Sequence, residues 1–221
     1  MGDTPVKAPS KRTRVGRLPK RGHYDRATID AILDEAIIGH LGFVLDGQPF
    51  VVPTLVARVG DHVYVHGSAA ARSLKALAGG IPACLTVTHV DGIVLARSIF
   101  NHSVNYRSVV VLGTAEPVTD KAEKVAALTA FSDTILPGRW DEVRGPTPQE
   151  LKATAILRLP LTEASAKVRT GPPGDDEPDY ALPVWAGVIP TALVQGKPVP
   201  DPKLAFDVPA PRWSRLPRSV K

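Results

Sequence analysis

One cysteine and one methionine occur in 221 residues, and aromatic residues make up only 5% of the chain. The lone Cys84 excludes an internal disulfide and fits a reducing compartment, where a small buried filler is the ordinary fate of a free thiol. Apolar runs are short. The longest, from about Gly80 to Val90, falls well below the ~20 residues of a membrane helix. No apolar signal-peptide core follows Met1, so the expected location is the cytoplasm, with no membrane partner. His23, His40, His62, His89 and His102 are scattered, with no HExxH pattern and no paired cysteines, so no catalytic metal is expected. Neither a Walker glycine loop nor a hydrolase order of Ser, His and Asp stands out.

The formal net charge is +5, but it is unevenly placed. Residues 1 to 22 hold seven basic residues against Asp3, and residues 212 to 221 hold Arg212, Arg215, Arg218 and Lys221 with no acid. The stretch between them carries 16 basic and 21 acidic residues and is therefore acidic. Basic ends can adhere to polyanions, with binding that collapses in salt. No aromatic residues interleave these cations as stacking platforms, which argues against specific nucleic-acid binding.

Residues 1 to 22, rich in Pro, Gly, Lys and Arg, read as a mobile basic tail. Thr28 reads as a helix N-cap, with Ile29, Ile32, Leu33, Ala36 and Ile37 at helical spacing up to Gly39. Strands are expected at Leu41 to Leu45 and Phe50 to Val59, joined by an Asp46-Gly47 hairpin turn. Pro53 marks the second of these as an edge or a bulge. Gly60-Asp61 returns the chain into Val63 to Val65. Pro82 to Val90 reads as a strand that Asp91-Gly92 turns into Ile93 to Arg97. Tyr106 to Val118 is a further strand, and a helix capped by Asp120 runs to Leu136 with Val125, Leu128, Thr129 and Ile135 on one side. Pro137-Gly138 stops it. Ala153 to Leu159 and Ala166 to Arg169 are expected strands. From Gly171 the chain turns proline-rich, with Asp175, Asp176 and Glu177 in a solvated loop and Trp185 in a short apolar island. The whole predicts a mainly β chain with a few helices, an antiparallel barrel over residues 23–171 and a C-terminal arm over 172–221.

The stretch Tyr64-Val65-His66-Gly67-Ser68-Ala69-Ala70-Ala71-Arg72-Ser73-Leu74 is the most suggestive. A half-buried strand leads through Gly67 and a capping Ser68 into a helix, which predicts an anion site at the helix start. His66, Ser68, Arg72 and Ser73 would add charge and hydrogen bonds for a phosphate. Arg97, Tyr106, Arg107 and Ser108 flank the Phe100-Asn101-His102-Ser103 turn and would border a ligand.

Several tracts, in this order and spacing, resemble the flavin-nucleotide-binding and nitroimidazole-resistance branch of the pyridoxamine 5′-phosphate oxidase-like superfamily, whose members are FMN-binding split β-barrels. They include Gly39-His40-Leu41-Gly42-Phe43-Val44, Val63-Tyr64-Val65-His66-Gly67-Ser68, Cys84-Leu85-Thr86-Val87-Thr88, Asn105-Tyr106-Arg107-Ser108-Val109 and Ala164-Ser165-Ala166-Lys167-Val168-Arg169. The resemblance implies FMN as cofactor, with its phosphate at His66, Gly67, Ser68, Arg72, Ser73 and Leu74. It implies that the ring lies along Pro53 and Thr54, beside the strand of Thr86, Val87 and Thr88. It implies a homodimer with flavin at the interface, Lys167, Arg169 and Trp185 coming from the partner, and Arg107, Ser108, Lys167 or Arg169 near the ring. His66 is also the catalytic candidate. The implied activity passes electrons from a reduced nicotinamide to a small acceptor such as a nitro compound, a quinone or oxygen. A flavin carrier or sensor without turnover, or a barrel holding haem or the deazaflavin F420, are the alternatives. At the strand Val52-Pro53-Thr54-Leu55-Val56-Ala57 the true oxidases carry Arg first and Lys last, so oxidation of pyridoxamine phosphate itself is not expected.

Overall fold

A computed structural model describes residues 6–212. The expectations for residues 1–5 and 213–221, which include Arg215, Arg218 and Lys221, lie outside the described residues. Among the described residues ten strands pair antiparallel in one folded sheet, with five helices around it.

The first core strands follow from local rules. β2 (Ile38–Leu45) and β3 (Gln48–Val59) form a hairpin through Asp46 and Gly47, both at positive φ (51° and 75°). That backbone suits a two-residue turn that matches strand twist. β3 then changes partner. Residues 48–55 pair only with β2, whereas Val56 to Val59 pair with β4 (His62–Ser68). Pro53 sits in the half with an open edge, where its missing N–H costs no ladder bond, as the sequence suggested.

The remaining strands close the body. β5 (Pro82–Leu95) pairs with β2 over Ala83 to Thr86 and along its whole length with β6 (Ser103–Thr114). β8 (Thr154–Pro160) joins β4 to the two-residue β7 (Glu116–Pro117). β9 (Ala164–Arg169) pairs with β6 and with the two-residue β1 (Gly22–His23). Inward-facing Leu41, Val56, Val65, Leu85, Val87, Val109, Leu157 and Leu159 meet in one core. The helix α1 (Arg26–Glu35) adds Ile29, Ile32 and Leu33, and α2 (Arg72–Ala78) adds Leu74 and Leu77, to the same core.

Several local expectations are corrected. α1 is capped by Asp25, whose carboxylate accepts the Thr28 amide at 2.8 Å, so Thr28 is the third helical residue and not the cap. Asp91-Gly92 is no hairpin turn: β5 runs through it, and the register with β6 shifts there as in a bulge. The helix α3 (Lys121–Ile135), capped by Asp120 as expected, buries Ala127, Phe131 and Thr134 against the outside of the sheet, while Ile135 is exposed. Its apolar residues circle the helix, so spacing alone did not select a face. Two short helices, α4 (Arg139–Glu142) and α5 (Pro148–Ala153), follow and were not read from the sequence. Residues 10 to 22, within the tail expected to be mobile, are laid on the barrel. The Ser10 hydroxyl and Arg12 guanidinium both donate to Glu163, Thr13 is buried, and β1 joins the sheet.

The arm also returns to the body. β10 (Gly187–Pro190) pairs with Gly92 to Leu95 of β5. Asp175 is not in a solvated loop: its side chain is fully buried and accepts the Arg97 amide at 2.9 Å and the Arg97 guanidinium at 3.1 Å. Arg97 also lies over the Tyr180 ring, 4.9 Å from its centre. Among the described residues no helix is long and apolar enough to cross a membrane.

Candidate functional site

Strand alternation decides which side chains leave the core. With Leu41, Leu85, Val109 and Ala166 pointing inward, their neighbours in sequence point out. Pairing then sets Pro53 opposite His40 and His40 opposite Thr86 in one row. A second row sets Thr88 opposite Ser108 and Ser108 opposite Lys167. The result is an open sheet face with hydroxyls, an imidazole and an ammonium group, flanked by exposed Ile38, Val44 and Val51. His40 was missed as a member of this face. The alternation Gly39-His40-Leu41 carried the signal, since Leu41 must be inside. Cys84, expected as buried filler, is half-buried on this same outer face, opposite Gly42, with Sγ 3.9 Å from the Thr86 hydroxyl.

His66 stands where this face passes under α3. Its ring packs on Phe131, centre to centre 4.3 Å at 50°. The half-buried imidazole has its Nδ1 buried without a hydrogen-bond partner. Burial pushes its pKa below the usual histidine value, so the ring is neutral at pH 7 and adds no cation for a phosphate. The neutral ring makes stability pH-dependent. In the unfolded chain the imidazole protonates below its ordinary pKa of 6.5, while the folded form resists. Stability contributed by the site is present above 6.5 and falls as the pH drops from there through the folded pKa. Urea unfolding of wild type against His66→Gln at stepped pH checks this: the variant should lose the part of the decline that starts near 6.5, while the later loss from carboxylates such as Asp25 remains.

The expected phosphate step is built differently from its sequence reading. α2 starts at Arg72 with Ala71 at the cap position and no side-chain cap. Ser68 is exposed and its hydroxyl accepts the Ala70 amide at 3.2 Å, steadying the turn and not the helix. Gly67 is needed for packing: a Cβ there would lie 2.9 Å from Leu74 Cδ1. Leu74 itself is in the core, as is Val87, so neither side chain is open to a ligand. Arg72 is exposed and rests over the Phe50 ring at 5.5 Å, with Ser73 half-buried behind it. Thr54 lies opposite Gly39 on the inward-facing row, and its hydroxyl donates to the Leu55 carbonyl at 3.4 Å.

Arg107 and Arg169 have partners within their own chain, and Trp185 lies on the arm. Arg107 donates to both oxygens of Asp91 at 3.0 Å and to Glu35 at 2.8 Å, and these carboxylates raise its pKa further. The bulge in β5 turns Asp91 to it, a pairing invisible in a dipeptide read as a turn. Arg169 is buried under the loop at Gly171 and Pro172. Trp185 is 65% exposed on the arm, its ring covering Gly187. Ala57, where the true oxidases carry Lys, is buried beneath α3 with Tyr64 and Phe131. A lysine there would bury its charge, so the departure is built into the packing.

The comparisons agree with this architecture. Residues 25–168 match the family model described as pyridoxamine 5′-phosphate oxidase. The flavocytochrome Anf3 from Azotobacter vinelandii is 48% identical, with 93% of this chain and 96% of that chain covered and a TM-score of 0.87. A FAD and haem binding protein from Mycobacterium smegmatis is 38% identical, with 88% and 96% covered and a TM-score of 0.83. At 21% identity a candidate 5-nitroimidazole antibiotic resistance protein from Bacteroides thetaiotaomicron VPI-5482 shares the fold, with 65% and 84% covered and a TM-score of 0.55. No curated protein matches. An antiparallel barrel with this strand order, matched by the family model over most of its body, places the chain in the pyridoxamine 5′-phosphate oxidase family.

Proposed function

We propose that this chain is a flavin-nucleotide-binding redox protein of the cytoplasm that also carries haem. The observation that carries the reading is His66, a neutral half-buried imidazole with an unpartnered ring nitrogen at the margin of an open, polar sheet face. Haem iron can be held by a neutral histidine imidazole, and a flat ring system suits an exposed sheet row. Support also comes from the two solved proteins at 48% and 38% identity, a flavocytochrome and a FAD and haem binding protein. The second of these favours FAD over the FMN implied by the sequence pattern.

Pro53, His40, Thr86, Thr88, Ser108 and Lys167 would hold the flavin, and His66 would hold the iron. The bound groups would supply one- and two-electron chemistry, taking electrons from a reduced nicotinamide and passing them to a small acceptor. The chain's own share is to position these groups and exclude water. α3 partly desolvates His66 and so disfavours its protonated form, and the buried Ala57 removes the cation that the true oxidases use. A second copy of the chain covers the outer face, where Ile38, Val44 and Val51 are 49%, 56% and 68% exposed. That predicts a dimer in sedimentation.

The absorption spectrum of the purified chain tests the cofactor reading. Flavin bands together with a Soret band are expected, and His66→Ala should lose the Soret band while keeping flavin. Protein that stays colourless after incubation with FAD, FMN and haemin refutes the reading. Mass spectrometry of the released flavin separates FAD from FMN.

A further inference from the structure

We propose that Arg21, Arg169 and Lys167 form an anion site at the β1–β9 margin of the outer face, and that its ligand is a phosphate group of a nucleotide. The inference begins with an uncompensated charge. Arg169 is only 8% exposed, yet its guanidinium meets neutral acceptors alone: the Asn105 side-chain oxygen, the Gly171 carbonyl at 3.4 Å and the Pro172 carbonyl at 3.3 Å. Its Nε is buried without a partner. Among the described residues no carboxylate pairs with Arg169, Arg21 or Lys167. The charge that bears on Arg169 instead is a second guanidinium, Arg21, and burial together with that charge lowers its pKa.

Burying a cation against another cation is costly unless an anion completes the group. The fold nevertheless builds the cluster deliberately. Ser10 and Arg12 tie the N-terminal segment to Glu163, and the Tyr24 hydroxyl accepts the Val15 amide at 2.9 Å. Gly22 gives the crossing chain room, since a Cβ there would come within 3.0 Å of Val15. Gly22 then pairs with Lys167, which brings Lys20 and Arg21 beside β9. Lys167 in turn ends the row that begins with Thr88 and Ser108. A ligand lying along that row therefore reaches the cluster with its end group.

Guanidinium forks match phosphate oxygens and are weakly hydrated, so a partly buried arginine pair selects phosphate well. The assignment of a nucleotide rests on the reading of the outer face as the cofactor face. Two sources share this chemistry, the flavin nucleotide and the nicotinamide nucleotide that reduces it.

The test uses the full chain, freed of flavin, with inorganic pyrophosphate as the calorimetric probe. Wild type should bind it, and Arg21→Ala should weaken binding about tenfold at an unchanged thermal midpoint, with Arg21→Lys recovering part. Wild type that ignores pyrophosphate, or an Arg21→Ala protein that binds it as wild type does, overturns the site. If Arg21→Ala fails to fold, Lys167→Ala, at a half-buried outer position, carries the same expectation. Fluorescence titrations then assign the source. Weaker FAD and FMN binding with riboflavin unchanged points to the flavin, whereas weaker NADPH binding with all flavins unchanged points to the donor. Loss of riboflavin affinity equal to that of FAD overturns the phosphate assignment. Arg21-dependent pyrophosphate binding by a chain that takes up no flavin leaves the anion site standing and sinks only the cofactor reading.

Discussion

Phe131→Ala should destabilise the protein by about 3–5 kcal/mol, the range for emptying a buried aromatic site. Phe131 is 3% exposed and joins Ala57, Tyr64, Val118, Ala127 and Ile156 in the small core beneath α3. The same ring covers His66, so its removal readmits water to the imidazole. Since desolvation alone lowers the His66 pKa, the variant should titrate closer to 6.5. Chemical denaturation reads the first effect and proton NMR of the imidazole the second. A large stability loss with an unmoved His66 titration would show that α3 does not set the protonation state.

Asp175→Ala should cost a similar ~3–5 kcal/mol, because it leaves the Arg97 guanidinium in a largely buried place without its carboxylate. Two hydrogen bonds from Arg97, one from its amide and one from its side chain, end on this residue. The arm should loosen as well. Limited proteolysis is expected to cut between 172 and 190 in the variant well before wild type. Asp175→Asn, which keeps an acceptor for the amide, should recover part of the loss. An unchanged cleavage rate in Asp175→Ala would mean that β10 pairing alone fixes the arm.

Much of the barrel was legible because its signals are local. Asp46-Gly47 and Gly138 lie at positive φ where the sequence placed turns, and Asp120 caps α3. The same dipeptide type misled at Asp91-Gly92. Gly92 is not at positive φ, and its use is to admit β10, since a Cβ there would fall 2.8 Å from Val188 Cγ1. Local pattern cannot distinguish a glycine that turns the chain from one that lets another strand approach. The candidate site was legible in its hydroxyls and in Lys167, which follow from strand parity. It was not legible where charge is shared across the fold. Arg107 finds Asp91 and Glu35, and Arg97 finds Asp175 78 residues away, so two cations that looked available for a ligand are bound up internally. His66 was found for its position before Gly67, but its neutrality comes from a helix 65 residues further on.

The place of β10 has a consequence for assembly. β2 pairs with β5 only over Ala83 to Thr86, so without Gly187 to Pro190 that edge of β5 would be bare at Gly92 to Leu95. The strand that seals it arrives at the end of an irregular segment running from Gly171, held chiefly by Asp175 and Tyr180. Such a piece is exchangeable: the same four residues from another copy would fit the same edge with the same bonds. A broken Arg97–Asp175 contact therefore has a second outcome besides unfolding, the trading of arms between molecules, favoured as the protein is concentrated.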